Sequence, residues 1–220
     1  MSVGCATVRR VGVPIGPSAA GTPRRLPHDG VVVRQGDRTT CLFLVTKGAV
    51  RLSAVTADGR EAVVAFLGPG DLFGESALLG RPSAVEARAI GHTEIVVLPL
   101  PYVREVLRHS PVTAEELLRL VASRLHRTSR ALQETLVGSV PARLSSRLRD
   151  LAETHGAAAP DGVRIEVPMT QEELARLVGA SREAVNRTLG GLFARGLVRT
   201  EGRTMVIPDP SALATEPAAP

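Results

Sequence analysis

Four polar side chains fall close together in the C-terminal third of the chain: Arg182, Glu183, Asn186 and Arg187. Their donor and acceptor patterns match the edges of bases. Arginine bonds bidentately to guanine, glutamate accepts from cytosine, and asparagine pairs with adenine. These groups serve that chemistry when they sit on the first turns of a helix, because a recognition helix meets base edges with its N-terminal end. The flanking residues predict such a helix. Thr170 with Glu173 three residues later is a capping box, and Leu174, Leu177 and Val178 make the inward face of a first helix. Gly179 can take the positive φ that ends it, so residues 179–181 form a tight turn. Ser181 caps a second helix whose inward face is Val185, Leu189 and Leu192. Thr170, Gln171 and Ser181, at the two helix starts, join the four readers as candidate DNA contacts. Residues 196–207 then read as two strands around Glu201-Gly202, a wing from which Arg199, Thr200 and Arg203 could reach phosphates. An ordinary helix pair with a solvated charged face would account for the charges. It would not account for two caps, a three-residue turn and a following hairpin in one run. Gly190-Gly191 is discordant, costing about 2 kcal/mol relative to two alanines inside a helix. The pair predicts a close approach there, a bend, or an early end.

The elements upstream must position this unit. Short apolar runs at 31–33, 42–45, 49–55, 61–67 and 94–98 are broken by Gln35-Gly36-Asp37, Lys47-Gly48, Ala57-Asp58-Gly59 and Gly68-Pro69-Gly70-Asp71. Asp58-Gly59 between two alternating runs is a hairpin signal, and many short, evenly spaced strands point to a β-roll or barrel. After Pro111 the period changes. Leu118, Val121, Leu125, Thr128, Leu132 and Thr135 recur at steps of three and four, as in the seam of a two-stranded coiled coil. A helix over 111–137 would span about 40 Å. The alternative, a helix packed on its own domain, would want a more apolar face than one with two threonines. Residues 138–141 break the helix, 142–153 read as another, and 163–167 as a short strand. The fold class is therefore α+β. Residues 1–25 are expected to be a flexible leader, 26–110 an effector-sensing β-roll, 111–138 a dimerisation helix, 139–209 a winged helix-turn-helix, and 210–220 a disordered tail.

Composition removes several classes. The 220 residues are 44% hydrophobic but only 2% aromatic, with no tryptophan, so single-strand binding on stacked aromatic platforms is disfavoured. The net charge of +5 permits nucleic-acid binding. Lys47 is the only lysine, so the positive charge is nearly all arginine, and a GC-rich genome explains most of that bias. Cys5 and Cys41 are too few for a disulfide framework or a four-thiolate cluster. The histidines at 28, 92, 109, 126 and 155 form no metal-ligating cluster, and no nucleophile lies beside a base at motif spacing, so no enzyme is expected. No apolar run approaches a membrane span, so a cytoplasmic location away from membranes is expected.

Residues 70–79, Gly-Asp-Leu-Phe-Gly-Glu-Ser-Ala-Leu-Leu, together with the motif at 169–189, resemble the Crp/Fnr family of regulators in identity, order and spacing. The resemblance covers about residues 26–207. It implies a cyclic-nucleotide-binding-type β-roll, a long dimerisation helix and a winged helix-turn-helix. It also implies a homodimer on double-stranded DNA at a near-palindromic TGTGA-type site, with RNA polymerase as a further partner. Arg182, Glu183 and Arg187 fall at the family's base-reading positions. Gly74, Glu75 and Ser76 fall in its phosphate-binding cassette, where Glu75 would hold a ribose hydroxyl and backbone amides would hold phosphate. Thr128-Ser129 fall where the family contacts adenine. The departure follows the cassette. Members carry Arg-Ser-Ala or Arg-Thr-Ala there, but this chain reads Gly80-Arg81-Pro82-Ser83-Ala84, with Pro82 in place of the phosphate-neutralising arginine. Arg81 or Arg88 is the available substitute, with Ser83 and Ala84 completing the site. A lost charge-assisted bond weakens binding by one to two decades, at about 1.5–3 kcal/mol. The effector is thus cyclic AMP, another cyclic nucleotide or another anion. The alternatives are a regulator that needs no effector, a haem or other-ligand sensor of the same fold, and a cyclic-nucleotide-binding regulatory subunit without DNA binding.

Overall fold

A computed structural model describes residues 21–202 and 204–215 of the chain. Arg203, Cys5 and most of the expected leader lie outside the described residues. The elements run β1 (Thr22–Leu26), β2 (Val31–Val33), β3 (Cys41–Val55), β4 (Glu61–Leu67), β5 (Leu72–Phe73), a 3-10 turn (Glu75–Leu79), β6 (Glu86–Pro99), α1 (Leu100–His109), α2 (Pro111–Val137), α3 (Val140–His155), β7 (Gly156–Ala159), β8 (Gly162–Ile165), α4 (Gln171–Val178), α5 (Arg182–Ala194), β9 (Arg199–Glu201), β10 (Thr204–Ile207) and a closing 3-10 turn (Pro210–Thr215). The class is α+β. The chain divides into two compact units, one holding residues up to 126 without the hairpin Thr56–Ala65, the other holding that hairpin and the residues from 127 onward.

The first unit is built on β3 and β6, antiparallel from Cys41 opposite Pro99 to Ser53 opposite Glu86. The apolar runs 42–45 and 49–55 are one strand, not two, and Lys47-Gly48 is a register shift within it. Gly48 has φ 78°, and a Cβ there would lie 2.5 Å from the His92 carbonyl oxygen, so only glycine fits the bulge. The sheet order is β1-β6-β3-β4, with β2 on β6 and β5 on β3. Leu26, Val33, Phe43, Val45, Val50, Leu67, Phe73 and Ile95 fill the roll, and Phe43 and Phe73 stack at 5.1 Å between centroids. A second cluster, Leu42, Leu44, Leu72, Ala77, Val96, Leu98 and Val103, ties the lower strands to α1. Two expectations give way here. Thr22–Leu26 pairs with Thr93–Val97 as strand β1, so residues 22–25 are a strand of the roll and not part of a leader. Helix α1 also lies where only strands were expected.

In the second unit, α3 packs on α4 and α5 beside the sheet β7-β8-β10-β9. Leu144, Leu148, Ile165, Leu174, Val185, Leu189, Leu192, Val198 and Ile207 are fully buried. Pro210–Thr215 is a 3-10 turn packed on α3, with Leu213 buried, rather than the start of a disordered tail.

Helix α2 runs 27 residues. Leu118, Leu125, Leu132 and Leu136 are exposed along it, each more than 60% accessible, with Val121 beside them. On the neighbouring face Arg124, Arg127, Ala131 and Glu134 are half-buried. The apolar stripe faces outward and the charged one is partly covered, the reverse of an amphipathic helix packed on its own domain. Helix α3 supplies partners for part of this inner face. Arg130 pairs with Asp150, Arg147 Nη2 lies 3.4 Å from Glu134 Oε2, and Ser146 Oγ donates to Glu134 Oε1 at 2.6 Å. Burial pulls the Arg147 guanidinium below its ordinary pKa, opposed by the charge of Glu134.

Candidate nucleic-acid interface and effector cassette

Helices α4 and α5 are set by their caps. The Thr170 hydroxyl accepts from the Glu173 amide at 3.1 Å, and Glu173 Oε2 accepts from the Thr170 amide at 2.7 Å. That closes the capping box. Gly179, at φ 67°, ends α4 in the left-handed region. Ser181 then caps α5 by accepting from the Ala184 amide at 3.2 Å. With Val185, Leu189 and Leu192 pinned inward, the 100° step per residue leaves Glu183 and Arg187 on the opposite face of α5 and Arg182 exposed at its start. The Glu183 carboxyl is held below its usual range, first by its own backbone amide, then by the Ser181 hydroxyl, and lastly by Arg182 and Arg187. It is therefore an ionised acceptor at neutral pH.

Asn186 departs from expectation. It borders the buried stripe, next to Val185, and its amide oxygen is buried without a hydrogen-bond partner among the described residues. The oxygen needed to pair with adenine is not on the outward face with the other readers. Gly190 and Gly191 also behave differently. Helix α5 passes through both to Ala194, and a Cβ at either would meet nothing within 4 Å. No close approach and no early end accounts for them, and nothing in the structure explains the pair.

Strands β9 and β10 form the hairpin after α5, with Thr204 opposite Glu201. Arg199 and Thr200 are exposed, but Arg199 is engaged: its Nη2 lies 2.6 Å from Asp161 Oδ2 and donates to the Asp161 carbonyl at 3.1 Å. Arg164 pairs with Glu201 in the same way at 2.8 Å. A phosphate at the wing therefore competes with carboxylates. Thr170 and Gln171 are exposed at the start of α4.

In the first unit, β5 delivers Gly74 at φ 87°, the entry to the 3-10 turn that carries Glu75 and Ser76. A Cβ on Gly74 would stand 3.0 Å from the Phe43 ring, so the tight backbone path needs glycine. Two arginines that sequence spacing did not single out converge here. Arg124, from α2, places Nη1 3.8 Å from Glu75 Oε2. Arg38 donates to the Gly80 carbonyl at 3.1 Å, while the loop bearing it pairs with the cassette's end through the Ser83 amide to the Asp37 carbonyl and the Gly36 amide to the Ser83 carbonyl, both 2.8 Å. Arg81 and Ala84 are exposed, and Ser83 is half-buried with its hydroxyl donating to the Val85 carbonyl at 2.7 Å. Arg88 is committed to Glu86 and to Asp29, at 3.3 Å from the latter, and so is a poor stand-in for the missing arginine. Thr128 and Ser129 are exposed on the outward face of α2. The described residues hold no group of three metal-ligating side chains and no helix long and apolar enough to cross a membrane.

Comparison with known proteins gives consistent matches across both units. Residues 23–110 match the cyclic nucleotide-binding domain family, and residues 142–216 match the Crp-like helix-turn-helix domain family. The CRP-like cAMP-activated global transcriptional regulator of Mycobacterium tuberculosis is 34% identical over 193 residues, covering 87% of this chain and 86% of that protein. The solved structure of FixK2 from Bradyrhizobium japonicum superposes with a TM-score of 0.77 at 23% identity, over 91% of this chain and 98% of that one, a likeness of fold. The c-di-GMP responsive global regulator CLP of Xanthomonas campestris is similar at 29% identity and a TM-score of 0.66, over 86% of this chain and 94% of that one.

Proposed function

The chain belongs to the Crp/Fnr family of DNA-binding transcriptional regulators, and from that premise we propose that it acts as a cytoplasmic homodimer that reads a near-palindromic DNA site under the control of a nucleotide effector. One observation carries the DNA reading. Glu183 and Arg187 stand together on the outward face of α5, with Arg182 exposed at its start, after a three-residue turn fixed by Gly179 and Ser181. Arg182 and Arg187 bond guanine, and the ionised Glu183 accepts from cytosine N4. Thr170, Gln171, Ser181, Arg199 and Arg203 contact the backbone, Arg199 exchanging Asp161 for a phosphate.

The outward leucines of α2 support the dimer. Two such stripes paired in parallel would bury Leu118, Val121, Leu125 and Leu132 and set two recognition helices about 34 Å apart, one turn of the duplex.

The cassette supports an anionic nucleotide. Glu75, oriented by Arg124, accepts a ribose hydroxyl. Gly74, Ser76 and Ser83 offer a backbone path that can approach a phosphate closely, and Arg124, Arg38 and Arg81 supply positive charge in place of the arginine absent at Pro82. The relatives respond to cyclic AMP or to c-di-GMP, so the proposed effector is a cyclic nucleotide. Pro82 favours a second reading, that DNA binding proceeds without effector. Fluorescence anisotropy of a labelled duplex selected from random DNA, titrated at fixed salt without nucleotide and with cyclic AMP, cyclic GMP or c-di-GMP, separates them. Tight binding only with one nucleotide supports effector control; equal tight binding in every arm supports the second reading; failure to select any duplex overturns the DNA function.

A further inference from the structure

Helices α2 and α3 are separated by two residues, Gly138 and Ser139. The Gly138 amide donates to the Glu134 carbonyl at 2.7 Å, and a Cβ at Gly138 would lie 2.5 Å from that oxygen. The joint is closely packed against its own backbone. Arg143, on the first turn of α3, donates to three carbonyls: Nη1 to Gly138 at 2.8 Å, Nε to Val178 at 3.0 Å and Nη2 to Gly179 at 3.3 Å. No carboxylate pairs with it among the described residues.

All three acceptors sit at helix ends. Gly138 follows the end of α2. Val178 and Gly179 are the last residue and the cap of α4, where unsatisfied carbonyls and the helix dipole favour a cation. Gly179 is two residues from Ser181, the cap of the recognition helix. One rigid guanidinium thus grips the α2–α3 joint and the turn that aims α5. A planar fork can hold three diverging carbonyls; an ammonium on a flexible stem cannot reproduce that geometry.

We propose that Arg143 is a positioning residue, clamping the α2–α3 joint to the turn of the helix-turn-helix so that the direction of the recognition helix follows the state of the joint. This rests on the DNA-binding function of α5. Release of the Gly138 carbonyl removes one of three grips. Arg143 then no longer registers α4 and α5 against the end of α2, and base readout suffers before backbone contact does.

The test compares full-length wild type with R143K and R143Q, using the selected duplex and a scrambled one. Specific affinity should fall about tenfold in both variants while scrambled-duplex affinity stays within twofold, so discrimination is lost. The salt slope should stay that of wild type, because no phosphate contact has gone. A variant that merely lost folded protein would lower both affinities by the same factor. Hydrogen exchange in the DNA-free protein gives the second measurement: the amides of Gly138 and Ala180, bonded to Glu134 and Ala175, should exchange faster together. Discrimination unchanged in R143K, an equal loss on both duplexes, or exchange that rises at only one of the two amides would each overturn the clamp. A wild type that selects no duplex, with exchange that still rises at both amides in R143K and R143Q, would instead overturn the DNA reading and leave the linkage standing.

Discussion

At the scale of single residues, Glu183 is the reader whose charge state is set most clearly by its surroundings. Its pKa is depressed by its own amide and the Ser181 hydroxyl. A depressed carboxylate keeps its charge above the ordinary range and loses it only as pH falls through the lowered value. Discrimination at the base pair it reads should therefore stay flat from neutral pH down through the ordinary glutamate range and decline only below it. E183Q should lose that discrimination at every pH, by about 1–3 kcal/mol at one base pair and little elsewhere. Binding to a panel of single-substituted duplexes measures both. Gly190 and Gly191 offer the opposite kind of test. Each lies in a continuous helix with open space at its Cβ and no positive φ. G190A and G191A should each raise stability by about 0.4–1 kcal/mol by restricting the unfolded chain, seen as a higher denaturant midpoint. A loss of DNA affinity in the more stable variants would show that the bare backbone is kept for close approach to the duplex.

At the scale of elements, α2 makes the sharpest prediction, because its apolar stripe is exposed while its charged stripe is covered. If the proposed dimer forms through α2, L125D or L132D should leave only monomers in sedimentation equilibrium and abolish tight binding to a palindrome, with the helix-turn-helix still folded. Asp150 tests the inner face. It is buried between Arg130 and Arg147. D150N leaves Glu134 as the one carboxylate shared by both cations and should destabilise the second unit by about 3 kcal/mol, the lower end for a broken buried pair, because that partner remains and Arg130 is about a third exposed. Local periodicity carried this element well: α2, α4 and α5 were readable because caps and a three-to-four step act within a few residues. What escaped was set at longer range. Strand β8 alternates, but its neighbour β7 is Gly-Ala-Ala-Ala, which has no period. Lys47-Gly48 reads as a turn because a bulge and a turn both call for glycine. Arg124, Arg38 and Arg143 look like any other arginine in a chain rich in them. Their distant partners lie 49, 42 and 35–36 residues away in sequence, and no spacing rule joins them.

At the scale of the whole molecule, the sensor and the reader must exchange free energy, and the exchange is reciprocal. If a nucleotide held by Glu75 and Arg124 tightens DNA binding by some factor, DNA must tighten nucleotide binding by the same factor, with a coupling of about 1–3 kcal/mol. Removal of the Glu75 carboxylate by E75Q leaves the DNA-reading residues intact, so the affinity of the effector-free protein for its site should be unchanged while the nucleotide loses its effect. R124Q should do the same by disorienting Glu75. Titration calorimetry of cyclic AMP with and without duplex, set beside anisotropy of duplex with and without cyclic AMP, gives the two factors independently. Their equality in wild type, and their joint collapse to unity in E75Q and R124Q, is the expected outcome. A factor of unity in wild type beside tight DNA binding would mean that Pro82 has uncoupled the cassette from this nucleotide.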